Sequence, residues 1–249
     1  MEKRVDKNSY TLLFAVGMVI VVGSILAYTA SVLKPNIDAN KRLEMQQNIL
    51  YAMGINDNDE KSVAFISTDK APEAFSKYII KQLVIQDGNV TEDSTAYLID
   101  VKKEKTLAKD ASYSRRLPLF VGEKDGKTIY VAPIRGKGLW DAIWAYVAID
   151  ENMVIQGIFF DHKGETPGLG ANINKRFFMD DFIGEDLMHN GVFKGVTVAK
   201  GNNDPLNKRK DDNKVDAIAG ATITGDGVSS MLRSELRLYV PYFKKLKSD

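Results

Sequence analysis

Two threonines lie at the end of a run of small residues, in the segment DAIAGATIT (residues 216–224). The hydrophobic residues that follow recur at helical spacing, which predicts an amphipathic helix beginning near Thr222. The N-terminus of a helix presents unpaired N–H groups and the positive end of the helix dipole, a setting that favours a phosphate group. Gly220 and Ala221 are small, so the backbone before the helix is open to a bulky ligand. The segment is equally typical of a helix that Thr222 or Thr224 merely caps.

A second loop carries polar and apolar groups side by side, in HKGETPGLG (residues 162–170). It follows a predicted strand, and its three glycines and one proline predict a tight loop that exposes its backbone. Glu165 and Thr166 would project polar groups, and Leu169 an apolar one. This combination suits a planar ring with apolar faces and polar edges, although an ordinary β-turn has the same composition.

A third segment, GKGLW (residues 136–140), places two large apolar side chains after flexible glycines. Leu139 and Trp140 could form a wall for an aromatic cofactor. The alternative is a tryptophan that is buried in the hydrophobic core.

The composition narrows the chemistry that is available. The chain has 249 residues, of which 44% are hydrophobic and 27% charged, and this predicts one sizeable folded domain with an anchor. It contains no cysteine, which excludes disulfides, thiolate zinc sites and cysteine-ligated iron–sulfur clusters in this chain. With only His162 and His189, a histidine-rich metal or haem site is not expected. The formal net charge of +1 gives no indication of a nucleic-acid partner.

The N-terminal part of the sequence predicts a membrane anchor. Residues 11–33 contain no charged residue and would span roughly 35 Å as a helix, enough for a hydrocarbon core of about 30 Å. A buried core helix and a cleavable signal peptide are the alternatives, but the run is longer than a typical signal-peptide core. We predict a tail over residues 1–10, a transmembrane helix over 11–33 and a juxtamembrane helix over 34–54. Lysine and arginine flank both ends of the span about equally, so the positive-inside rule does not orient it.

For the remaining body, residues 55–249, the sequence predicts an α+β domain in which helices flank an antiparallel sheet. The core of this domain is predicted at about 118–240. The sequence shows neither a regular strand–helix alternation nor a G-x-G-x-x-G motif, so a doubly wound dinucleotide fold is not expected. Alternating patterns predict strands beginning near Lys127 and over 142–149 and 154–160.

The pattern upstream of this core is weaker. Phe75, Ile79 and Leu83 are spaced by four, which predicts a helix over residues 69–85. The segment TAYLIDV predicts a strand over 95–101, followed by a charged loop.

Together the three loop segments resemble the C subunit of the sodium-translocating NADH:quinone oxidoreductases and the related G subunit of the Rnf electron-transport complex. In these families a D-x-x-S-G-A-T-x-T motif carries FMN through its phosphate on the last threonine, which corresponds to Thr224. The stretch LKPNIDANKRLEMQQNIL and the ending RLYVPYFKKLK are similar to the sodium-pump subunit rather than to the Rnf one. The resemblance covers most of residues 8–247. Ala219 stands where the family usually has serine, so a hydrogen bond from that side chain is absent.

The resemblance implies one covalent FMN per chain, on Thr224, and neither a catalytic residue nor a metal ligand in this chain. The residues that it places at the cofactor are Asp216, Gly220, Ala221, Thr222, Thr224, Leu139, Trp140, Glu165, Thr166, Gly168 and Leu169.

The resemblance also implies a function and a location. The flavin would relay single electrons between redox centres of partner subunits that carry flavins and iron–sulfur clusters, while NADH and quinone react elsewhere in the complex. A separate flavin transferase would attach FMN from FAD outside the cytoplasm. This would make residues 1–10 a cytoplasmic tail and place the body on the periplasmic side of a bacterial inner membrane.

Two other functions remain open at this point. One is an Rnf-type subunit, with ferredoxin and NAD as terminal partners of the complex. The other is a non-redox, anchored binding module in which the GATIT turn only begins a helix. A hydrolase that uses Ser229 or Thr224 as nucleophile has no support, because no histidine lies near in sequence and no G-x-S-x-G motif occurs.

Overall fold

The computed structural model describes residues 8–59 and 62–248. The chain divides into two units, one that ends at Leu43 and one that begins at Glu44. The described part of the first unit belongs to helix α1 (Asn8–Ala52), and nearly all large apolar side chains of α1 in this unit are exposed. Among the described residues, α1 is the one helix long and apolar enough to cross a membrane, and an 18-residue window of it has a mean hydropathy of 2.3.

The predicted transmembrane and juxtamembrane segments are parts of one helix, α1, which continues through Pro35 without a break. The helix ends at Ala52. Gly54 follows with a φ of 73°, the left-handed backbone that commonly terminates a helix. Residues 1–7 of the predicted tail lie outside the described residues.

The second unit contains an antiparallel sheet of six strands: β1 (Ile79–Gln86), β2 (Asn89–Glu92), β3 (Leu117–Lys124), β4 (Lys127–Lys137), β5 (Ala142–Ile149) and β6 (Ile155–His162). They lie in the order β2-β1-β3-β4-β5-β6. The strands predicted near Lys127 and over 142–149 and 154–160 are therefore confirmed as β4, β5 and β6, and so is the α+β class with an antiparallel sheet.

Two aspartate–glycine turns set the register of this sheet. Asp87 and Gly88 join β1 to β2 with φ values of 50° and 75°, and Asp125 and Gly126 join β3 to β4 with values of 52° and 73°. Positive φ at both central positions is the geometry of the two-residue turn that matches the twist of a hairpin. The long β4–β5 pair then continues in register from Tyr130 opposite Ile149 to Lys137 opposite Ala142.

Shorter elements connect and cover the strands. The helices of the second unit are α2 (Ala71–Tyr78), α3 (Val101–Leu107), α4 (Arg176–Met179), α5 (Thr222–Leu236) and α6 (Val240–Leu246). Two further strand pairs join β7 (Met188–His189) to β8 (Val192–Phe193) and β9 (Thr197–Val198) to β10 (Lys214–Val215). Because β10 ends at Val215, it leads directly into the 216–224 segment and then into α5.

One face of the sheet packs against α5 and α6. Gly136 on β4 lies so close to α5 that a Cβ there would be 2.7 Å from the Cβ of Met231. Farther along β4, the ring of Tyr130 packs edge-on against Phe243 of α6, with 5.1 Å between ring centroids. This packing fixes the position of α5 relative to the central strands.

The last turns of α1 cover the opposite face. Tyr51 packs edge-on against Phe159 of β6, with 5.4 Å between ring centroids. Gly122 of β3 leaves room for the side chain of Met53. The buried core therefore takes in the end of α1 and also β1, and it is larger than the predicted range of 118–240.

Two predictions upstream of the core are wrong in part. Residues 69–85 contain the short helix α2 and then the strand β1, because a spacing of four is also two strand periods and IIKQLVI is rich in β-branched residues. Residues 95–101 form a 3₁₀ turn over Ala96–Leu98 instead of a strand, and the expected loop contains α3. Asp100 begins α3 by accepting hydrogen bonds from two backbone N–H groups, a capping role that the alternating pattern concealed.

Candidate functional site

The site lies at the N-terminus of α5. Ala221 immediately precedes the first helical turn, and no side chain caps the helix there. The first N–H groups of a helix have no partner within it, so those of the first turn of α5 face outward as donors. Such a group of donors suits a phosphate. The alternative that Thr222 or Thr224 caps the helix is wrong, because both residues lie inside it.

The two threonines have different surroundings. Thr222 is exposed, whereas only 1% of the surface of Thr224 is exposed. The Thr224 hydroxyl donates a hydrogen bond of 2.6 Å to Oε2 of Glu165. This contact joins the helix segment to the 162–170 loop, two segments that the sequence places far apart.

Backbone groups hold Glu165 in place. Its Oε1 accepts a hydrogen bond of 3.0 Å from the backbone N–H of Trp140, and its own N–H donates to Nδ1 of His162 over 3.3 Å. Glycines enclose the carboxylate, since a Cβ at Gly138 would lie 2.5 Å from Oε1 and one at Gly170 would lie 2.7 Å from Oε2. All three predicted segments therefore meet at this one carboxylate.

The electrostatic setting keeps Glu165 ionised. Burial acts to raise the pKa of its carboxyl group, but the hydrogen bonds donated by the Thr224 hydroxyl and by backbone N–H groups from Trp140 and its neighbours outweigh that effect. The net result is a pKa below the ordinary value. Within the described residues, no lysine, arginine or histidine forms an ion pair with Glu165, so neutral donors alone stabilise the charge.

A cavity of about 240 Å³ opens beside this contact. The residues that line it are Leu139, Glu165, Thr166, Leu169, Gly170, Gly220, Ala221, Thr222, Ile223 and Thr224. Of the predicted cofactor residues, the structure thus brings together around one space Leu139, Glu165, Thr166, Leu169, Gly220, Ala221, Thr222 and Thr224.

Sequence reasoning missed two lining residues, Gly170 and Ile223. Gly170 closes the predicted 162–170 loop, and its lack of a side chain was the available signal. Ile223 is 58% exposed in the first turn of α5, and a large apolar residue between two threonines could have indicated contact with a ligand.

Three other predicted residues do not line the cavity. Trp140 is 66% exposed, which excludes the buried-core alternative, and its indole N–H donates to the Thr166 hydroxyl over 3.1 Å. Gly168 has a φ of 78° and shapes the loop. Asp216 accepts hydrogen bonds from the backbone N–H groups of Asn203 and Asp204, which organises the preceding loop.

Two larger and more open cavities, of about 640 and 550 Å³, lie farther along α5. Both are lined in part by Thr197, Arg233 and Arg237, and neither includes a residue of the three predicted segments. No cluster of metal-ligating side chains occurs among the residues that the structure describes. The smaller cavity is therefore the one in which the sequence motifs and the geometry coincide.

Comparison with known proteins agrees with this assignment. A family model described as an FMN-binding domain matches residues 138–237, a range that contains the whole site. A crystal structure of the C subunit of the Na⁺-translocating NADH-quinone reductase from Parabacteroides distasonis is 31% identical, with a TM-score of 0.71, over 85% of this chain and 96% of that one. The chain belongs to the C-subunit family of the Na⁺-translocating NADH-quinone reductases.

Other members of the C-subunit family match at similar levels. The crystal structure of Shewanella oneidensis NqrC is 27% identical, with a TM-score of 0.66, over 85% of this chain and 100% of that one. The C subunit of the Vibrio alginolyticus reductase is 29% identical over 90% of this chain and 88% of its own length. Membership of this family and the apolar helix α1 agree with a membrane location.

The residues of the cavity fit the FMN that this domain family binds. The uncapped first turn of α5 supplies donors for a phosphate, and Leu139 and Leu169 supply apolar surface. Gly220 leaves room for the Leu169 side chain, since a Cβ there would lie 2.8 Å from it. The volume is below the range of about 300–1,000 Å³ that is usual for ligand pockets, so the cavity encloses only part of a ligand of this size.

Proposed function

We propose that this chain carries one FMN as a phosphoester on Thr224. The observation that carries the proposal is the position of the Thr224 hydroxyl, which lines the cavity at the start of α5. Thr224 is also the last threonine of the motif, the position that bears the flavin in the resembling families. Exposed Thr222 is the rival acceptor, and variants of the two threonines distinguish them.

In this proposal the protein holds the cofactor at two places. The N–H groups of the first turn of α5 stabilise the negative phosphate, together with the helix dipole. Leu139 and Leu169 would contact the ring, and Thr166, which accepts a hydrogen bond from the Trp140 indole, would lie at its polar edge. Asp216 acts through the loop that it organises and not by direct contact.

The bound flavin would supply one-electron transfer, and the protein would position the ring and limit its contact with water. Partner subunits with flavins and iron–sulfur clusters would deliver and accept the electrons. NADH oxidation and quinone reduction would take place elsewhere in the complex, as the family resemblance implies. Cysteine-ligated clusters would also lie on other subunits, since this chain has no cysteine.

We further propose that α1 anchors the body to a bacterial inner membrane, with residues 1–10 in the cytoplasm, 11–33 in the membrane, and 34–54 and the 55–249 body outside. A flavin transferase that works outside the cytoplasm would then reach Thr224. A reporter that is active only in the periplasm, fused after the C-terminus, should be active. Activity of a cytoplasm-only reporter in its place would reverse this topology.

A further inference from the structure

The contact between Glu165 and Thr224 is suited to a chemical step as well as to folding. The distance of 2.6 Å between Oε2 and the threonine Oγ1 places a carboxylate directly on the proton that an esterification must remove. Both residues are buried, so water does not compete for that proton. The other carboxylate oxygen is fixed by the Trp140 N–H, and this orients Oε2 towards the hydroxyl.

We propose that Glu165 is the general base for the covalent attachment of the flavin, taking the proton of the Thr224 hydroxyl as that oxygen accepts the flavin-bearing phosphoryl group. This inference rests on the proposed function, in which Thr224 carries FMN through its phosphate. It adds a catalytic residue that belongs to the acceptor protein, in addition to whatever groups the transferase brings.

The step balances with a flavin dinucleotide such as FAD as the co-reactant. Thr224 Oγ1 forms a bond to the phosphorus on the flavin side, and the phosphoanhydride bond to the adenylate breaks. AMP leaves, and the proton passes from Thr224 to Glu165 and then to the departing phosphate or to solvent. Nothing is oxidised or reduced.

The surroundings of Glu165 support this role. A carboxylate accepts the proton of the attacking hydroxyl in protein kinases, which also transfer a phosphoryl group from a phosphoanhydride to a hydroxyl. Glu165 is ionised, as such a base must be, because donated hydrogen bonds hold its pKa below the ordinary value. No cation among the described residues neutralises it, so its charge acts on the Thr224 proton.

Glycines leave the space that the carboxylate and the hydroxyl occupy. A Cβ at Gly170 would lie 2.5 Å from the Thr224 hydroxyl oxygen and 2.7 Å from Glu165 Oε2, so a larger residue there would displace one member of the pair. Gly138 encloses the opposite oxygen in the same way. The glycines of the two loops therefore allow the carboxylate and the hydroxyl to meet, in addition to allowing the chain to turn.

The test measures how fast the full-length, detergent-purified apoprotein becomes covalently fluorescent when incubated with FAD and the host's flavin transferase. Glu165→Gln should slow this labelling by about 100-fold or more, the usual contribution of a general base. Thermal unfolding and binding of riboflavin, which has no phosphate to transfer, report whether the variant is folded and its cavity intact. Glu235→Gln, a change of the same type at a buried glutamate of α5, should be labelled at the wild-type rate.

A dependence on pH separates a base from a structural contact. The lowered pKa of Glu165 leaves its carboxyl group ionised at neutral pH. The wild-type rate relative to Glu165→Gln should therefore be greatest near neutral pH, should shrink at alkaline pH as hydroxide replaces the missing base, and should fall at acidic pH as Glu165 becomes protonated. If Glu165→Gln does not fold, Glu165→Asp gives the same test, because it retains the charge and withdraws it by one methylene. Labelling of the folded variant at the wild-type rate would overturn the inference, whereas absence of labelling in the wild-type chain would overturn the proposed function.

Discussion

Two buried glutamates at opposite ends of α5 have the same exposure, 4%, and very different partners. Glu235, near the C-terminal end, forms ion pairs of 2.6 Å with Arg115 and 2.8 Å with Lys105. Glu165, which contacts the N-terminal end, receives hydrogen bonds from a hydroxyl and a backbone N–H and forms no ion pair in the described part of the chain. The first glutamate connects elements of the fold, and the second is held in a state from which it can still accept a proton.

The comparison shows that burial alone does not identify a functional carboxylate. Glu235 has two cations that offset the cost of removing its charge from water. Glu165 lacks that compensation and is stabilised only by oriented neutral dipoles, which the loops must hold in position. A buried charge that faces a hydroxyl in a cavity, and that no cation among the described residues neutralises, marks a candidate reacting site.

The largest expected effect is the loss of covalent flavin when the hydroxyl that faces Glu165 is removed. Thr224→Val removes the hydroxyl that faces Glu165 and should abolish covalent flavin entirely, whereas Thr222→Val should retain it. Protein from the native host, run on a denaturing gel under ultraviolet light, checks both variants. A fluorescent band that survives Thr224→Val would move the acceptor to another residue.

The next effect is on stability and concerns the other end of α5. Glu235→Gln leaves Arg115, which is largely buried, without its ion pair and should lower the free energy of unfolding by about 3 kcal/mol. Asp180→Asn breaks an exposed ion pair with Arg176 and serves as the control, with a loss below about 1 kcal/mol. Chemical denaturation measures both. Equal losses in the two variants would show that the burial of the Glu235 pair contributes nothing.

A third buried glutamate, Glu185, extends the comparison to a carboxyl group whose charge neighbouring groups stabilise too weakly to offset the cost of burial. Burial raises the pKa of Glu185 from 4.5 to about 7, while a hydrogen bond from Asn207 and the charge of Lys210 oppose the shift. The folded state therefore holds this proton more tightly than the unfolded state does. Its stabilising contribution is complete below about pH 4.5 and is lost as the pH rises through about 7.

Replacement of Glu185 should isolate that contribution. Wild-type stability relative to Glu185→Gln should fall by up to about 3 kcal/mol between those two pH values, since each pKa unit corresponds to about 1.4 kcal/mol. Denaturation of both proteins across this range measures the difference. A difference that does not vary with pH would mean that Glu185 is ionised in the folded protein.

The smallest effects are expected on the exposed side of the same loop that holds Glu165. Leu169→Ala removes apolar surface at the cavity and Thr166→Val removes a hydroxyl at its rim. Both variants should retain covalent FMN but shift its redox midpoint by tens of millivolts, since about 1 kcal/mol corresponds to about 40 mV for a one-electron couple. Thr166→Val also removes the acceptor for the Trp140 indole. Redox titration beside the wild type tests both variants. Unchanged midpoints would mean that Leu169 and Thr166 do not contact the flavin, and that the site consists of Glu165, Thr224 and the N-terminus of α5.

The sequence was sufficient to predict three adjacent strands of the sheet, β4 to β6, and the segments that line the cavity, but it did not predict the central strand β3. Alternation along 142–149 and the small residues before Thr222 are local signals, and both could be read without a structure. A spacing of four at Phe75, Ile79 and Leu83 is common to helices and strands, so it did not distinguish them.

The contact at the centre of the site was beyond sequence reasoning. Glu165 and Thr224 are separated by 59 positions, and nothing in either loop indicates which oxygen faces which hydroxyl. The indirect role of Asp216 was hidden for the same reason, because its partners at 203 and 204 lie in a loop without a pattern. Long-range hydrogen bonds depend on how β4, the 162–170 loop and α5 pack together.

The most direct test of the central claim is mass spectrometry of the full-length protein purified from its native membranes. The intact mass should exceed that of the unmodified chain by one FMN less one water. Fragmentation should place this addition on Thr224 within the peptide that spans residues 216–224. An unmodified intact mass, or an addition on Thr222, would contradict the account.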